Sequence, residues 1–240
     1  MSQTNLPEVT IAVCAFNEAA NVGRVLTELL SLKINKEIMI IDDASTDATP
    51  QIIKSMADKS NGLIKIFKHE KRKGKGAGII TAIKHSSGRY FCIQDADLEY
   101  DPHDIDRIME DITQNSLDAC FGSRFIEPNP VIYPHCAFAN KFISKWISLL
   151  TGTLITDSYT GRKIIRTNLI KGLSLEKYGF DIEAEISTKI GTLTGQGKIK
   201  FSEAPISYNP RTVKEGKKIR LMDAIKAFLV PLQIKLKGTW

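Results

Sequence analysis

The sequence lacks the residue patterns of cysteine and histidine metal sites and of disulfide scaffolds. Its four cysteines are widely separated with no Cys-x-x-Cys pair, and its four histidines show no ligand spacing with them or with one another. Three cysteines lie in apolar, strand-like runs, which is typical of buried free thiols in a reducing compartment. We therefore expect free thiols and structural or surface histidines. These residues are Cys14, Cys92, Cys120 and Cys136, and His69, His85, His103 and His135.

Long apolar runs are also missing. No segment reaches the ~20 apolar residues that a membrane-spanning helix needs. Residues 1–7 are polar and lack the apolar core of a signal peptide. We therefore expect a cytoplasmic protein, or one that is peripheral at the inner face of the membrane.

Positively charged residues are in moderate excess. Lys and Arg number 33 against 27 Asp and Glu, so the formal net charge is +6. Such an excess favours anionic partners: nucleotide phosphates, an acidic membrane surface or nucleic acid. The 240 residues are enough for one α/β domain with a full core.

Strand-like and helical patterns alternate through the first half of the chain. Apolar runs at residues 9–14, 37–41, 63–67, 90–93 and 118–122 predict five strands, with periodic helical patterns between them. Later, residues 160–166 predict a strand, and residues 138–150, 181–190 and 219–229 predict helices. This alternation predicts an α/β fold with a mostly parallel sheet flanked by helices. Ligands in such folds bind beyond the carboxyl ends of the strands.

An acidic cluster follows the fourth predicted strand. Asp95 and Asp97 leave the strand, and Glu99 stands two positions further on. Alternate residues of an extended backbone share a face, so the three carboxylates can converge on one point. Such oxygen ligands suit Mg²⁺ or Mn²⁺, which usually bind one or two carboxylates together with substrate phosphates. We predict a divalent metal site here, although a charged strand exit would explain an isolated Asp-x-Asp.

Polar residues after the first two strands are candidates for contacts with a nucleoside. Asn17 and Glu18 follow the first strand, and Asp42 and Asp43 end the second. Asn17 is also expected to cap the first helix, and Glu18 is favourable in a first helical turn with or without a ligand. Adjacent acids at a buried strand end are costly without hydrogen-bond donors, so Asp42 and Asp43 point more strongly to a site.

Basic residues near glycines are candidates for phosphate contacts. Lys75 lies in the segment 71–76, which lacks the spacing of a Walker A loop; a solvated basic loop is the alternative. Arg124 follows the fifth strand, where its planar guanidinium suits an anionic group such as a phosphate. Arg211 and Lys217 lie in a glycine-containing loop before the last helix.

Seven motifs in sequence order together resemble glycosyltransferase family two, which has the GT-A fold. They are CAFNE at 14–18, IDDASTD at 41–47, KGKGA at 73–77, DADLE at 95–99, GSR at 122–124, Asp157 with TGR at 160–162, and Arg211 with EGKK at 215–218. The resemblance covers roughly residues 9–223 and is closest to the dolichyl-phosphate mannose synthase and polyprenyl-phosphate glucosyltransferase branch. Cys14 replaces the usual proline, and Glu99 stands where this branch often has glutamine, a change that should tighten metal binding.

The resemblance implies a metal-dependent, inverting hexosyltransferase that uses a UDP- or GDP-linked sugar and Mg²⁺ or Mn²⁺. It implies one domain over residues 1–240: a nucleotide-sugar half at 9–125, an acceptor half with a lid loop at 126–218, and an amphipathic helix and tail at 219–240. The implied donor-site residues are Ala15, Asn17, Glu18, Asp42, Asp43, Lys75, Gln94, Asp95, Ala96, Arg211 and Lys217. The implied catalytic residues are Asp95, Asp97, Asp157 and Arg124, and the implied metal ligands are Asp95, Asp97 and Glu99.

The acceptor implied by the resemblance is a polyprenyl or dolichyl phosphate. Such a phosphate is already anionic, whereas a hydroxyl of a soluble or glycan acceptor must lose a proton to a carboxylate base. Asp157 is the candidate base or acceptor-site residue in either case. Residues 138–150 and 221–236 combine apolar positions with lysines, as helices lying on an anionic membrane surface do. Core packing or dimerisation explains the same pattern, so membrane contact and an oligomer both stay open.

Two other classes of protein fit less well. A nucleotide-sugar pyrophosphorylase would need a glycine-rich signature directly after the first strand, where this chain has residues 14–18 without glycine. A nucleic-acid binder would explain the positive charge but not the acids at three strand ends, and the RNA-binding aromatic motif is missing. We therefore expect no nucleic-acid partner.

Overall fold

Seven strands form the sheet of this computed structural model, which describes residues 6–131, 133–211 and 221–238, with the backbone alone over 221–227. The strands are β1 (Val9–Ala15), β2 (Lys36–Asp42), β3 (Ile64–Lys68), β4 (Tyr90–Asp95), β5 (Ala119–Ser123), β6 (Lys163–Arg166) and β7 (Phe201–Pro205). Their order is β3-β2-β1-β4-β6-β5-β7, and β6 alone among these strands runs antiparallel to its neighbours. The predicted mostly parallel α/β sheet is confirmed.

Eight helices connect and cover the strands in the described part of the chain. They are α1 (Val22–Ser31), α2 (Thr49–Asp58), α3 (Lys75–His85), α4 (Asp104–Asn115), α5 (Pro134–Thr151), α6 (Thr167–Gly172), α7 (Ile182–Gly195) and α8 (Leu221–Lys237). Pro50 and Pro134 stand in the first turns of α2 and α5, where a missing N–H costs nothing. Gly152 ends α5 in the left-handed conformation, with a φ of 73°.

Alternating strand residues bury their side chains on opposite faces of the sheet. Val9, Ile11 and Val13 of β1 pack in an apolar core with residues of α1, α2 and α4. Ala12 belongs to a second core with residues of α3, α6 and α7. A third, smaller cluster joins α5, α7 and α8 through residues such as Ile147. This period of two is what a sheet covered by helices on both faces requires.

The structure corrects one local prediction. Asn17 does not cap the first helix, because α1 begins at Val22 and Asn21 holds the capping position. Asn17 instead adopts a left-handed backbone with a φ of 53°. Its side-chain oxygen accepts a hydrogen bond from the Thr46 N–H at 2.8 Å. The loops after β1 and β2 are thereby joined to each other.

The order of the strands determines where a ligand site is expected. β2 and β4 pair with β1 on opposite sides, both in parallel, so the carboxyl ends of the three strands meet at one edge. The chain reverses its direction of progress across the sheet at this point, where open α/β sheets bind their ligands.

Candidate functional site

A cavity of about 1240 Å³ opens beyond the carboxyl ends of β1, β2 and β4. It has an acidic end beside β4 and an apolar end beside the amino-terminal half of α5. Ten of the predicted site residues line it: Ala15, Glu18, Asp43, Lys75, Asp95, Ala96, Asp97, Glu99, Arg124 and Arg211. The fold therefore brings residues from six separate segments of the chain to one place.

The acidic end is made by the segment that follows β4. This strand ends at Asp95, and residues 96–99 bend instead of continuing it. The prediction that Asp95, Asp97 and Glu99 share one face of an extended backbone is therefore wrong. Asp95 turns towards Lys75, with 2.6 Å between Oδ1 and Nζ, whereas Asp97 and Glu99 face Arg211. Within residues 6–131, 133–211 and 221–238, no three acidic, histidine or cysteine groups form a complete metal cluster.

Arg211 bridges the outer acids. Its guanidinium contacts Asp97 and lies 3.3 Å from Oε2 of Glu18 and 3.6 Å from Oε1 of Glu99. Its backbone N–H also donates to Glu99 at 3.0 Å. One arginine thus holds together the loop after β1, the acidic bend and the chain after β7. Lys217, predicted in the same loop, lies outside the described residues.

The electrostatics of Asp97 favour a cation at this end of the cavity. Burial raises the pKa of its carboxyl, and the charges of Asp95 and Glu99 raise it further. Arg211 offsets only part of this, so the pKa is about 7 instead of 3.8. Mg²⁺ and Mn²⁺ usually take one or two protein carboxylates and complete their shell with water and substrate phosphates. Such an ion would need only one or two of the carboxylates of this bend.

Asp43 is held by donors from the next loop. Its oxygens accept hydrogen bonds from the N–H groups of Lys73 and Gly74, both at 2.8 Å, and one oxygen lies 2.7 Å from Nδ1 of His69. Burial alone would raise its pKa, but these hydrogen bonds lower it below the usual value. Gly74 can take this place because its φ is 101° and a Cβ would lie 2.5 Å from the Tyr178 carbonyl oxygen. Asp43 therefore presents a fixed carboxylate to the cavity.

Three other predicted residues do not line the cavity. Asn17 bonds to Thr46, as described above. Asp42 is buried, and one of its oxygens accepts from the Ser45 N–H at 3.0 Å. Gln94 is also buried, and its amide donates to the Asp95 carbonyl oxygen at 3.0 Å. These side chains shape the loops that carry Glu18, Asp43 and Asp95.

Lys75 lies between two carboxylates at the start of α3. Its Nζ is 2.6 Å from Asp95 and 2.9 Å from Oε1 of Glu183 in α7. Burial alone would lower the pKa of this ammonium, but the two acids raise it well above the usual value. Lys75 is therefore a fixed buried cation in the cavity wall, not part of a solvated loop.

Arg124 marks the boundary between the acidic and apolar ends of the cavity. Its Nε and Nη2 donate to the two oxygens of Asp157 at 2.7 and 2.8 Å. The guanidinium carbon lies 5.1 Å from the centre of the Tyr208 ring. Asp157 is fully buried, and its Oδ1 also accepts from Asn140 at 2.7 Å. The structure therefore places Asp157 behind Arg124 as its counter-ion, away from the position of a base at the cavity surface.

The part of the cavity beside α5 is mostly apolar, and Glu127, His135 and Lys141 also line it. Residues 125–131 and the first turns of this helix line it, with Ile126, Val131, Tyr133 and Ala137 among the side chains. Beyond it, α5 exposes Phe138 and other apolar side chains to solvent. A ligand with an anionic head beside Arg124 and an apolar chain would match this arrangement.

Several residues of the site carry no signal in the local sequence. Glu183 and Asn140 sit in helices far along the chain, and packing of α7 and α5 against the sheet brings them to Lys75 and Asp157. Tyr208 follows β7, a short edge strand that the sequence pattern does not reveal. Sequence alone identified these segments only as helix or loop.

The sequence of the chain is similar to a family profile and to several curated proteins. The sequence profile of glycosyl transferase family 2 matches residues 10–172. The dolichol-phosphate mannosyltransferase of Pyrococcus furiosus is 28% identical over an alignment of 220 positions, which covers 88% of this chain and 59% of that protein. The UDP-N-acetylglucosamine--dolichyl-phosphate N-acetylglucosaminyltransferase of Methanococcus voltae is 26% identical over an alignment of 252 positions, which covers 95% of this chain and 96% of that protein.

The chain spans 59% and 48% of the length of two of the curated relatives that it matches. Among solved structures, glucosyl-3-phosphoglycerate synthase from Mycobacterium tuberculosis was crystallised with Mn²⁺, uridine-diphosphate and glucosyl-3-phosphoglycerate. It gives a TM-score of 0.67 at 16% identity, over 95% of this chain and 80% of that chain. The predicted GT-A fold is confirmed by such neighbours.

Over the part of the chain that the structure describes, no helix has both the length and the apolar character needed to cross a bilayer.

Proposed function

The chain belongs to glycosyl transferase family 2, and from this premise we propose that it transfers a hexose from a UDP- or GDP-linked sugar to a polyprenyl or dolichyl phosphate, with inversion and with Mg²⁺ or Mn²⁺. The observation that supports this most is the division of one cavity into an acidic end and an apolar end, with Arg124 between them. The acidic end suits a metal-bound diphosphate, and the apolar end suits an acceptor with a hydrocarbon chain.

The donor binds at the acidic end. Asp43 and Glu18 present carboxylates to the nucleoside, and Asp95, Asp97 and Glu99 would hold the cation. That cation would offset the charge that develops on the departing nucleoside diphosphate. Arg211 already spans Glu18, Asp97 and Glu99, so the phosphates meet a guanidinium at the same place. These groups orient the diphosphate and leave the anomeric carbon facing Arg124.

The acceptor phosphate binds at Arg124. Asp157, which also accepts a hydrogen bond from Asn140, binds this guanidinium through Nε and Nη2 and fixes the orientation of the side chain at the cavity. A phosphate oxygen is anionic before attack and needs no proton acceptor. This agrees with the buried position of Asp157, whose oxygens are both engaged. Enzyme groups at this end orient the acceptor and exclude water.

The acceptor chain would leave the cavity along α5 towards a membrane surface. Phe138, Phe142 and Leu149 of this helix are mostly exposed, and Phe228 of α8 stacks 5.0 Å from the Trp146 ring beside them. Lys141 and Lys145 are interleaved with these side chains. Apolar side chains with nearby lysines suit an anionic bilayer surface. We include peripheral membrane contact in the proposed function.

A soluble or glycan hydroxyl acceptor is the second candidate. Arg124 would bind the phosphate of a small soluble acceptor as well as that of a lipid. The structurally similar glucosyl-3-phosphoglycerate synthase carries a phosphate-bearing product. The two candidates differ in whether the apolar end of the cavity is used.

The test is a transfer assay with labelled donors. The protein and Mn²⁺ are incubated with UDP-glucose, UDP-N-acetylglucosamine or GDP-mannose, each with and without a polyprenyl phosphate. We expect label from one donor to enter the organic phase only when the lipid is present, and Asp97→Ala to abolish this transfer. Label that stays in the aqueous phase in a new glycan would favour the soluble acceptor. Intact donors in every mixture would contradict the proposal.

A further inference from the structure

Four charges of alternating sign run inward from the acidic end of the cavity. Asp95 pairs with Lys75 at 2.6 Å, and Lys75 lies 2.9 Å from Oε1 of Glu183. The other oxygen of Glu183 accepts from Nζ of Lys163. The side chains of Asp95 and Lys75 are 23% and 12% exposed at the cavity. Glu183, which also lines the cavity, is 2% exposed, and Lys163 is fully buried.

Stability does not explain these charges. Buried ion pairs can often be replaced by apolar residues with no loss of stability, because desolvation offsets their attraction. Burial alone would raise the pKa of Glu183, but the two lysines outweigh it and lower the pKa. Glu183 is therefore an anion placed within reach of Lys75.

Lys163 also fixes the other side of Asp95. Its Nζ donates to the carbonyl oxygens of Ser158 and Thr160, at 3.1 and 2.7 Å. The next residue, Gly161, packs so closely on Asp95 that a Cβ would lie 2.1 Å from Oδ2. The pair of Lys163 and Glu183 thus supports the residues on both sides of Asp95, which are Lys75 and Gly161.

The role of Glu183 follows from the charge of Lys75. If Asp95 were its only counter-ion, the ammonium would neutralise the carboxylate that faces the cavity. With Glu183 on the opposite side, the positive charge is divided between two acids. We propose that Glu183 is a positioning residue of the donor site, which draws Lys75 inward and leaves Asp95 available to a divalent cation. This inference rests on the proposed function, because it assumes that the cation and donor bind at Asp95.

A matched control lies in the same helix. Glu185 is also 2% exposed, pairs with Lys189 at 3.1 Å and accepts hydrogen bonds from the N–H groups of Glu176 and Lys177. It has the burial and pairing of Glu183 but does not line the cavity. Glu185→Gln therefore measures the cost of removing a buried paired charge from α7 without touching Lys75.

The experiment measures the affinity of the full chain for Mn²⁺ alone, from the electron paramagnetic resonance signal of the free ion. In Glu183→Gln we expect the affinity to fall about tenfold, a typical effect of removing a group that orients a metal ligand. In Lys75→Met we expect it to rise, because the competing ammonium is gone. The double variant should match Lys75→Met, since Glu183 acts through Lys75. Glu185→Gln should bind Mn²⁺ like the wild type.

A merely structural role makes different predictions. It would lower Mn²⁺ affinity in Lys75→Met as well as in Glu183→Gln, or would give Glu185→Gln the same loss, and either result overturns the inference. If Glu183→Gln does not fold, the sign of the change in Mn²⁺ affinity in Lys75→Met still distinguishes the proposed role from a structural one. Wild-type transfer of labelled sugar with equal Mn²⁺ affinities in all variants would overturn this inference alone. Absence of transfer by the wild type would overturn the proposed function itself.

Discussion

Asp157→Asn tests how the acceptor end of the cavity is built. The carboxylate is fully buried and accepts hydrogen bonds from the backbone N–H, Nε and Nη2 of Arg124, and from Asn140. Asparagine keeps the shape of the side chain but removes the charge and turns an acceptor into a donor. That donor then faces the N–H groups of Arg124, and the guanidinium loses its counter-ion.

The expected loss of unfolding free energy in Asp157→Asn depends on how deeply the ion pair is buried. Removing one partner of a buried pair costs about 3–5 kcal/mol, because an uncompensated charge remains. The Arg124 side chain is 15% exposed and can turn into the cavity, so we expect the lower end, about 3 kcal/mol. Asp118 and Arg166 form a comparable but half-exposed pair, with side-chain exposures of 27% and 34%. Asp118→Asn should cost less than about 1 kcal/mol.

Urea unfolding of the wild type and both variants measures these free energies. Arg124 and its hydrogen bonds hold the pKa of Asp157 below 3.8, although burial alone would raise it. A lowered folded-state pKa gives stability that is complete above the unfolded value and is lost as the pH falls through the folded value. The difference between wild type and Asp157→Asn should therefore be full at neutral pH and shrink only below pH 3.8. Equal losses in Asp157→Asn and Asp118→Asn would refute the assignment of Asp157 as the buried counter-ion of Arg124.

Three further predictions concern other parts of the molecule. The pKa of Asp97 is raised from 3.8 to about 7, so its contribution to stability is complete below the unfolded value and lost as the pH rises through the folded one. The unfolding free energy of wild type minus that of Asp97→Asn should thus fall as the pH rises from 3.8 to about 7 in EDTA, and a flat difference would contradict this. Gly161→Ala should weaken nucleotide binding in calorimetry, because the new Cβ would lie 2.1 Å from Asp95, whereas Gly172→Ala, with open space around it, should bind normally. Phe142→Ser should reduce co-flotation with anionic vesicles without changing the unfolding free energy, because this side chain is 57% exposed; unchanged flotation would count against membrane contact through α5.

Much of the structure of residues 9–125 was predictable from local pattern. Short apolar runs ending in acids identified β1, β2 and β4, and a parallel sheet places those acids at one edge. The helical pattern between the second and third predicted strands identified α2, which has Pro50 in its first turn. The acids of residues 95–99 were identified, but the bend that turns Asp95 away from Asp97 and Glu99 was not, because nothing in the pattern shows that the strand stops at Asp95.

The structure of residues 126–218 was less predictable for a physical reason. β6 inserts between β4 and β5 in the antiparallel direction, and β7 is a short edge strand ending in Pro205. Both depend on pairing with residues distant in sequence. The partners of the charged residues were missed on the same ground: Glu183 and Asn140 reach Lys75 and Asp157 only through packing of α7 and α5.

Phosphorus NMR of the acceptor during the reaction tests the central claim most directly. The sample contains wild-type protein, Mn²⁺, the active nucleotide sugar and a polyprenyl phosphate in detergent. The account predicts that the phosphomonoester signal of the lipid is replaced by a phosphodiester signal as the nucleoside diphosphate is released. A lipid signal that stays a monoester while the donor is consumed would contradict transfer to the acceptor phosphate.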